Sequence, residues 1–236
     1  VDKPEITPVQ INRESNSDFF AKIDSMQSMR LTPQFVDFEK AIAKGSVANK
    51  VDVNYVHNKT NELFSLYYVF DMGASNNPWL PIAVDYLPYL GTAEMSPAEV
   101  QKELFKLGVS FDVFSSENKA YVRLNGLNET YEEGVKLFES LLDNVVADEA
   151  SYQELVMGIL KKRADQKLNK RAILFSGLGN YAQYGAKNPF NTILSQEELV
   201  SKNPEELVEM IHNLTNYKHR VLFYGPQNME DAVAVL

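Results

Sequence analysis

Apolar side chains recur at every second position over residues 51–56, and again on Phe64, Leu66, Tyr68 and Phe70, the spacing of strands with one buried face. Asn58-Lys59-Thr60-Asn61 lies between the two runs, and together they predict a hairpin. A second pair repeats the pattern: Phe111-Asp112-Val113-Phe114, the turn Ser115-Ser116-Glu117-Asn118, then Ala120-Tyr121-Val122-Arg123-Leu124. A last strand is predicted at Val221-Leu222-Phe223-Tyr224, closed by Gly225-Pro226.

Between and after these runs the period changes to that of helices. Three starts carry a hydroxyl cap with Glu three residues on: Ser96-Pro97-Ala98-Glu99, Thr130-Tyr131-Glu132-Glu133 and Ser195-Gln196-Glu197-Glu198. Asn203-Pro204-Glu205-Glu206 does the same with an amide cap and Pro at the first helical position. The first helix is expected to bury Val100, Leu104 and Leu107 and to stop at Gly108; the second presents Val135, Phe138, Leu141, Leu142 and Val145. The longest starts at the Asp148 cap and lines up Tyr152, Leu155, Val156, Ile159 and Leu160. Two hairpins, several helices and a returning strand predict an α+β domain: an antiparallel or mixed sheet with helices on one face. No internal repeat or low-complexity segment interrupts it.

Residues 1–37 fall outside this pattern. Pro4, Pro8 and Pro33 bracket a short apolar piece, Phe19-Phe20-Ala21-Lys22-Ile23, that suits one helix in a linker or packing arm. The domain proper is expected over 38–226, with 227–236 as the start of a link to a following domain. The absence of an initial Met and the apolar close Ala232-Val233-Ala234-Val235-Leu236 read as the ends of an excised piece.

Composition narrows the function classes. The 236 residues are 44% hydrophobic and 23% charged, ordinary for a globular chain. No apolar run approaches the roughly 18 residues of a membrane span, and Val1-Asp2-Lys3-Pro4 is not a targeting signal. The net charge of −9 argues against nucleic-acid or anionic-membrane partners and leaves room for a cationic peptide. Zero Cys removes disulfides, thiolate nucleophiles and Cys-based zinc sites together.

Candidate chemistry is sparse. His57, His212 and His219 are the three histidines, none at metal-ligand spacing to another, and surface or cap positions account for them. Ser176-Gly177-Leu178-Gly179 is a two-glycine fragment without the lysine of a phosphate loop. Lys161-Lys162-Arg163 with Arg171 reads as a solvated helix face. The glycosylation sequons at Asn58, Asn128 and Asn213 are discounted as chance matches in an Asn-rich chain.

One stretch is more distinctive. Leu63-Phe64-Ser65-Leu66-Tyr67-Tyr68-Val69-Phe70-Asp71-Met72-Gly73 is followed by Leu80-Pro81-Ile82-Ala83-Val84-Asp85-Tyr86-Leu87-Pro88-Tyr89-Leu90-Gly91-Thr92. Met95-Ser96-Pro97-Ala98-Glu99 and Leu104-Phe105-Lys106-Leu107-Gly108 complete it. In order and spacing it resembles the core of the insulinase/pitrilysin (inverzincin) zinc metallopeptidases. There a strand ending in Gly leads to a helix with H-x-x-E-H, then Gly-Thr, then a helix ending near Leu-Gly. The resemblance extends, more thinly, from about Val51 to Gly225. Registered on Gly91-Thr92, it places Ile82 and Tyr86 where the family has its two histidines and Asp85 where it has the catalytic Glu. The later Glu ligand falls near Lys161 or Lys162. Asp85 without a zinc-bound water has no partner for peptide hydrolysis, and Pro88 should end the helix before Gly91.

What the resemblance implies is an inactive domain from the C-terminal half of such a protease, with a LuxS/mitochondrial-processing-peptidase-like fold. No catalytic, metal-binding or cofactor-binding residue is assigned in this chain, and zinc is expected in an upstream catalytic domain of the parent. The implied role is to shape a substrate chamber, bind peptide and support clamshell closure. The alternative is a non-proteolytic scaffold or interaction subunit of the same fold, like the core subunits of respiratory complexes. Implied partners are homologous domains of the same polypeptide and a peptide substrate, with no nucleic acid and no membrane; homodimerisation of the excised piece stays open. So does the compartment, with the bacterial periplasm or cell envelope favoured.

Overall fold

The computed structural model describes residues 12, 15–27, 31–47, 50–186, 188 and 193–236. The chain divides into two compact units, Val1–Asp37 and Phe38–Leu236. In the first, Ser17 accepts from the Phe20 amide and starts helix α1, Asp18–Ser25, where Phe19, Phe20 and Ile23 are exposed.

The second unit begins with a short helix α2, Phe38–Ala41, and strands β1, Ala43–Val47, β2, Val51–His57, and β3, Leu63–Phe70. Helix α3, Leu80–Tyr86, the two-residue strand β4, Gly91–Thr92, and α4, Pro97–Lys106, follow. Then come β5, Val109–Ser115, β6, Ala120–Leu127, α5, Tyr131–Asn144, and the short β7, Val145–Val146. The rest is mainly helical: α6, Glu149–Gln166, α7, Gly179–Tyr184, α8, Gln196–Ser201, and α9, Pro204–His212, before β8, His219–Gly225, and α10, Met229–Ala234.

Six strands form one mixed sheet in the order β1-β2-β8-β3-β6-β5, so the α+β class is as expected. The β5–β6 hairpin forms, with Ser115 opposite Ala120. The β2–β3 hairpin does not. β8 lies between them, parallel to β2 and antiparallel to β3, with Tyr55 and Leu66 both opposite Phe223. The Asn58 segment therefore crosses the end of β8 instead of closing a turn. The Asn58 amide donates to the Gly225 carbonyl at 2.8 Å, and its side chain accepts from the Tyr224 hydroxyl at 3.0 Å. Asn58 is buried, which takes that sequon off the surface.

One sheet face is dry. Val53, Tyr55, Phe64, Leu66, Val122 and Leu124 are buried there, while their strand neighbours Tyr67, Tyr121 and Arg123 are half-exposed. Helical side chains such as Val135, Phe138, Tyr152 and Leu207 belong to the same core. A run of aromatics crosses it, from Phe64 edge-on to Tyr131 at 4.9 Å, to Phe223 at 5.4 Å and Tyr55 at 5.8 Å. The Tyr131 hydroxyl donates to the Ala232 carbonyl at 2.9 Å, and Ala232 is buried, so the terminal segment is folded onto this core.

The helix caps explain where the helices begin. Ser96 with Glu99 and Ser195 with Glu198 form reciprocal boxes, Asn203 accepts from the Glu205 amide, and Asp148 accepts from Ser151. Thr130 is the exception: a 3₁₀ turn over Asn128–Thr130 takes it out of the extended conformation a cap needs, and its hydroxyl donates to the Leu107 carbonyl instead. Gly108 closes α4 at φ +62°, a conformation that favours glycine.

The Ser96 hydroxyl and amide hold the Glu99 carboxyl below its ordinary value of 4.5. A carboxyl lowered by folding adds stability above its unfolded value and loses it as pH falls through the folded one. The difference in urea midpoint between the wild type and Glu99→Gln should therefore be constant above pH 4.5 and vanish at lower pH. A pH-independent difference would remove the box from the account.

Candidate functional site

The region singled out by the sequence lies on α3 and the segment after it. Pro81 stands in the first turn of α3, and Pro88 stops the helix at Tyr86, turning Leu87–Tyr89 into a 3₁₀ turn as its missing amide requires. Gly91–Thr92 then pairs with Val145–Val146, which brings the end of α3 to the start of α6.

At that junction Tyr86 is fully buried. Its hydroxyl donates to the Asp148 carbonyl at 2.6 Å and accepts from the Asp148 amide at 3.0 Å, and its ring meets Tyr152 edge-on at 5.6 Å. Burial, the largest influence, raises this phenol above its ordinary value, so it stays a neutral donor. Ile82, one turn earlier, is also buried in the core. Asp85 is half-buried; burial raises its carboxyl, and the Lys162 ammonium pulls it part of the way back. Lys161 and Lys162 themselves are exposed on α6.

These residues do not fit a zinc ion. At the positions that the resemblance gives to two neutral imidazoles stand a hydrocarbon and a phenol engaged with backbone, and near the one that it gives to an anionic ligand stand ammonium groups. The three histidines are dispersed among backbone and hydroxyl partners: His57 with the Tyr55 hydroxyl at 3.0 Å, His212 with the Val145 carbonyl at 3.1 Å, His219 with the Tyr217 carbonyl at 2.8 Å. Among the described residues no three His, Asp or Glu side chains converge as a metal set. Ser176–Gly179 spans the end of a π-helical stretch, Ala172–Leu178, and the start of α7, with no phosphate-binding loop.

A second polar group was not visible in any motif. The Tyr68 hydroxyl on β3 donates to the Glu139 carboxylate on α5 at 2.9 Å. Burial raises both groups, the phenol strongly; the bond from Tyr68 partly offsets the rise at Glu139. One signal was available: Glu139 falls on the apolar stripe of α5, between Val135 and Leu142, where an unpaired charge would be costly.

The molecule is thus an α+β domain with a metallopeptidase-like layout. Its fold is that of the M16 peptidase domains, inactive ones included. It superimposes on a peptidase M16 inactive domain from Pseudomonas fluorescens with a TM-score of 0.69 at 19% identity, covering 82% of this chain and 48% of that one. A protease from Helicobacter pylori matches with a TM-score of 0.64 at 13% identity over 82% of this chain and 48% of its own. The periplasmic protease PqqL from Escherichia coli gives 0.64 at 12% identity over 89% of this chain and 25% of that protein. The chain spans about half the length of the first two. No protein-family model and no curated protein matches the sequence.

Proposed function

We propose that this chain is a non-catalytic domain of a zinc metallopeptidase, one that shapes the substrate chamber and supports peptide binding and clamshell closure while another domain of the same polypeptide carries the metal. The observation that carries the reading is Tyr86: at the position that the resemblance gives to a zinc ligand stands a buried tie between α3 and α6. A domain that keeps the scaffold and uses the former site for packing has a structural role. The solved structures of this fold that extend well beyond the span of this chain support a larger parent. A soluble periplasmic setting suits the reading; among the described residues no helix is long and apolar enough to cross a membrane.

The purified chain should hold far less than one zinc per molecule by elemental analysis and should leave peptides uncut with or without a chelator. Stoichiometric zinc with chelator-sensitive cleavage would overturn the proposal. In the parent polypeptide, removing residues 38–236 should abolish peptide cleavage and leave zinc bound elsewhere in the protein. Full activity after that deletion would sink the chamber role.

A further inference from the structure

A cavity of about 270 Å³ lies between the dry face of the sheet, α5 and the turn before β8. Its walls are apolar, formed by Phe70 on β3, Val122 on β6, Leu142 on α5 and Leu214 in the 3₁₀ turn Leu214–Asn216. Five polar side chains reach it: Tyr68, Glu139, Asp143, Thr215 and His219.

Their hydrogen-bonding capacity is weighted toward accepting. The Tyr68 hydroxyl spends its proton on Glu139, leaving only oxygen lone pairs. His219 places Nδ1 2.8 Å from the Tyr217 carbonyl, a contact that requires the proton on Nδ1 and leaves Nε2 as an acceptor in the neutral ring. Glu139 and Asp143 are carboxylates, and the Thr215 hydroxyl can accept as well as donate. No lysine or arginine lines the cavity, and no cation within ion-pair distance of either carboxylate occurs among the described residues. Asp143 is exposed and Glu139 half-buried, so negative charge runs from the rim inward. The Phe70 ring, 5.5 Å from that of His219, adds an aromatic wall of the kind that attracts cations.

An acceptor-rich, anionic, partly aromatic cavity selects a ligand that only donates and carries positive charge. We infer that this pocket binds an alkylammonium or alkylguanidinium group, its carbon chain against Val122, Leu142 and Leu214 and its head group between Glu139 and Asp143. The volume falls just below the ~300–1,000 Å³ of sites for drug-sized ligands, and suits a short chain with one head group. A cation there would also offset the burial that raises Glu139. This inference stands apart from the proteolytic reading: it needs only the cavity. The head group has two sources, a free small amine or guanidine and a lysine or arginine side chain of a peptide.

The test compares N-butylguanidinium with N-butylurea, its neutral counterpart of nearly the same shape, by calorimetry and methyl NMR on the whole chain. The cation should bind at least about tenfold more tightly, as one charge-assisted contact implies, and should shift the methyl signals of Val122, Leu142 and Leu214. Glu139→Gln keeps an acceptor for Tyr68 and so preserves the local fold; it should erase the preference for the cation. Asp143→Asn, at the rim, should weaken it in part. Equal binding of the two probes, methyl shifts elsewhere, or an undiminished preference in Glu139→Gln would overturn the inference. A blocked pentapeptide with a central arginine, set against its citrulline analogue, separates the sources. Discrimination between the two assigns the pocket to side chains, and exclusion of both peptides while N-butylguanidinium binds assigns it to free small cations.

Discussion

Tyr86→Ala should destabilise the Phe38–Leu236 unit by about 4 kcal/mol, the scale for deleting a fully buried aromatic side chain. The loss is not packing alone. Without the phenol the Asp148 amide has no acceptor, although the Asp148 carbonyl keeps its bond from the Tyr152 amide. Tyr86→Phe isolates that part and should cost about 0.5–1.5 kcal/mol, the net worth of one hydrogen bond, because Asp148 is exposed and water can replace the phenol. Urea unfolding followed by far-ultraviolet circular dichroism measures both. A midpoint unchanged in Tyr86→Ala would mean that neither the packing of the ring nor its bonds to Asp148 support the fold, and the strongest support for a structural role would be gone.

Gly91→Ala is the second large effect expected, about 3 kcal/mol by the scale for overfilled interiors. A Cβ on Gly91 would stand 2.3 Å from the Met95 carbonyl oxygen and 2.9 Å from the Ser96 carbonyl carbon. Both are backbone atoms in a tight loop: the Thr92 amide donates to the Met95 carbonyl at 2.8 Å, and Ser96 is fixed by its box with Glu99. Relief would require opening the loop or unwinding the first turn of α4. Thermal unfolding should show a clear drop in midpoint, and none would mean that the loop yields easily. The Gly-Thr pair on which the family resemblance was registered is thus explained here by close backbone approach, with no appeal to chemistry.

That distinction shows which parts of the fold were legible. Caps act over three residues, so Ser96, Asp148, Ser195 and Asn203 could be read from the chain, as could the turn joining β5 to β6. Thr130 had the right neighbours, but a 3₁₀ turn ahead of the helix, invisible in the pattern, changed its backbone. The β2–β3 pairing failed for a larger reason. Period-two runs identify strands but not their neighbours, and the strand between these two, His219–Gly225, is the last of the sheet in sequence. The cavity had the same difficulty: Tyr68, Glu139 and His219 come from two strands and a helix, and only the misplaced charge on the stripe of α5 hinted at it. The bond from Tyr86 to Asp148 joins residues 62 apart in sequence and became visible only in three dimensions.

The position of β8 also constrains how the protein is made. The strand that joins the β1–β2 pair to the β3–β6–β5 group is synthesised after the other five of the sheet. Until residue 225 has emerged, the nascent chain holds two partial sheets with facing open edges, the kind of surface on which other chains add strands. Sheet closure therefore waits for the sequence-distant pairing of β2 with β8, and such long-range closure is slow. During that interval, protection of those edges falls to whatever binds the nascent polypeptide.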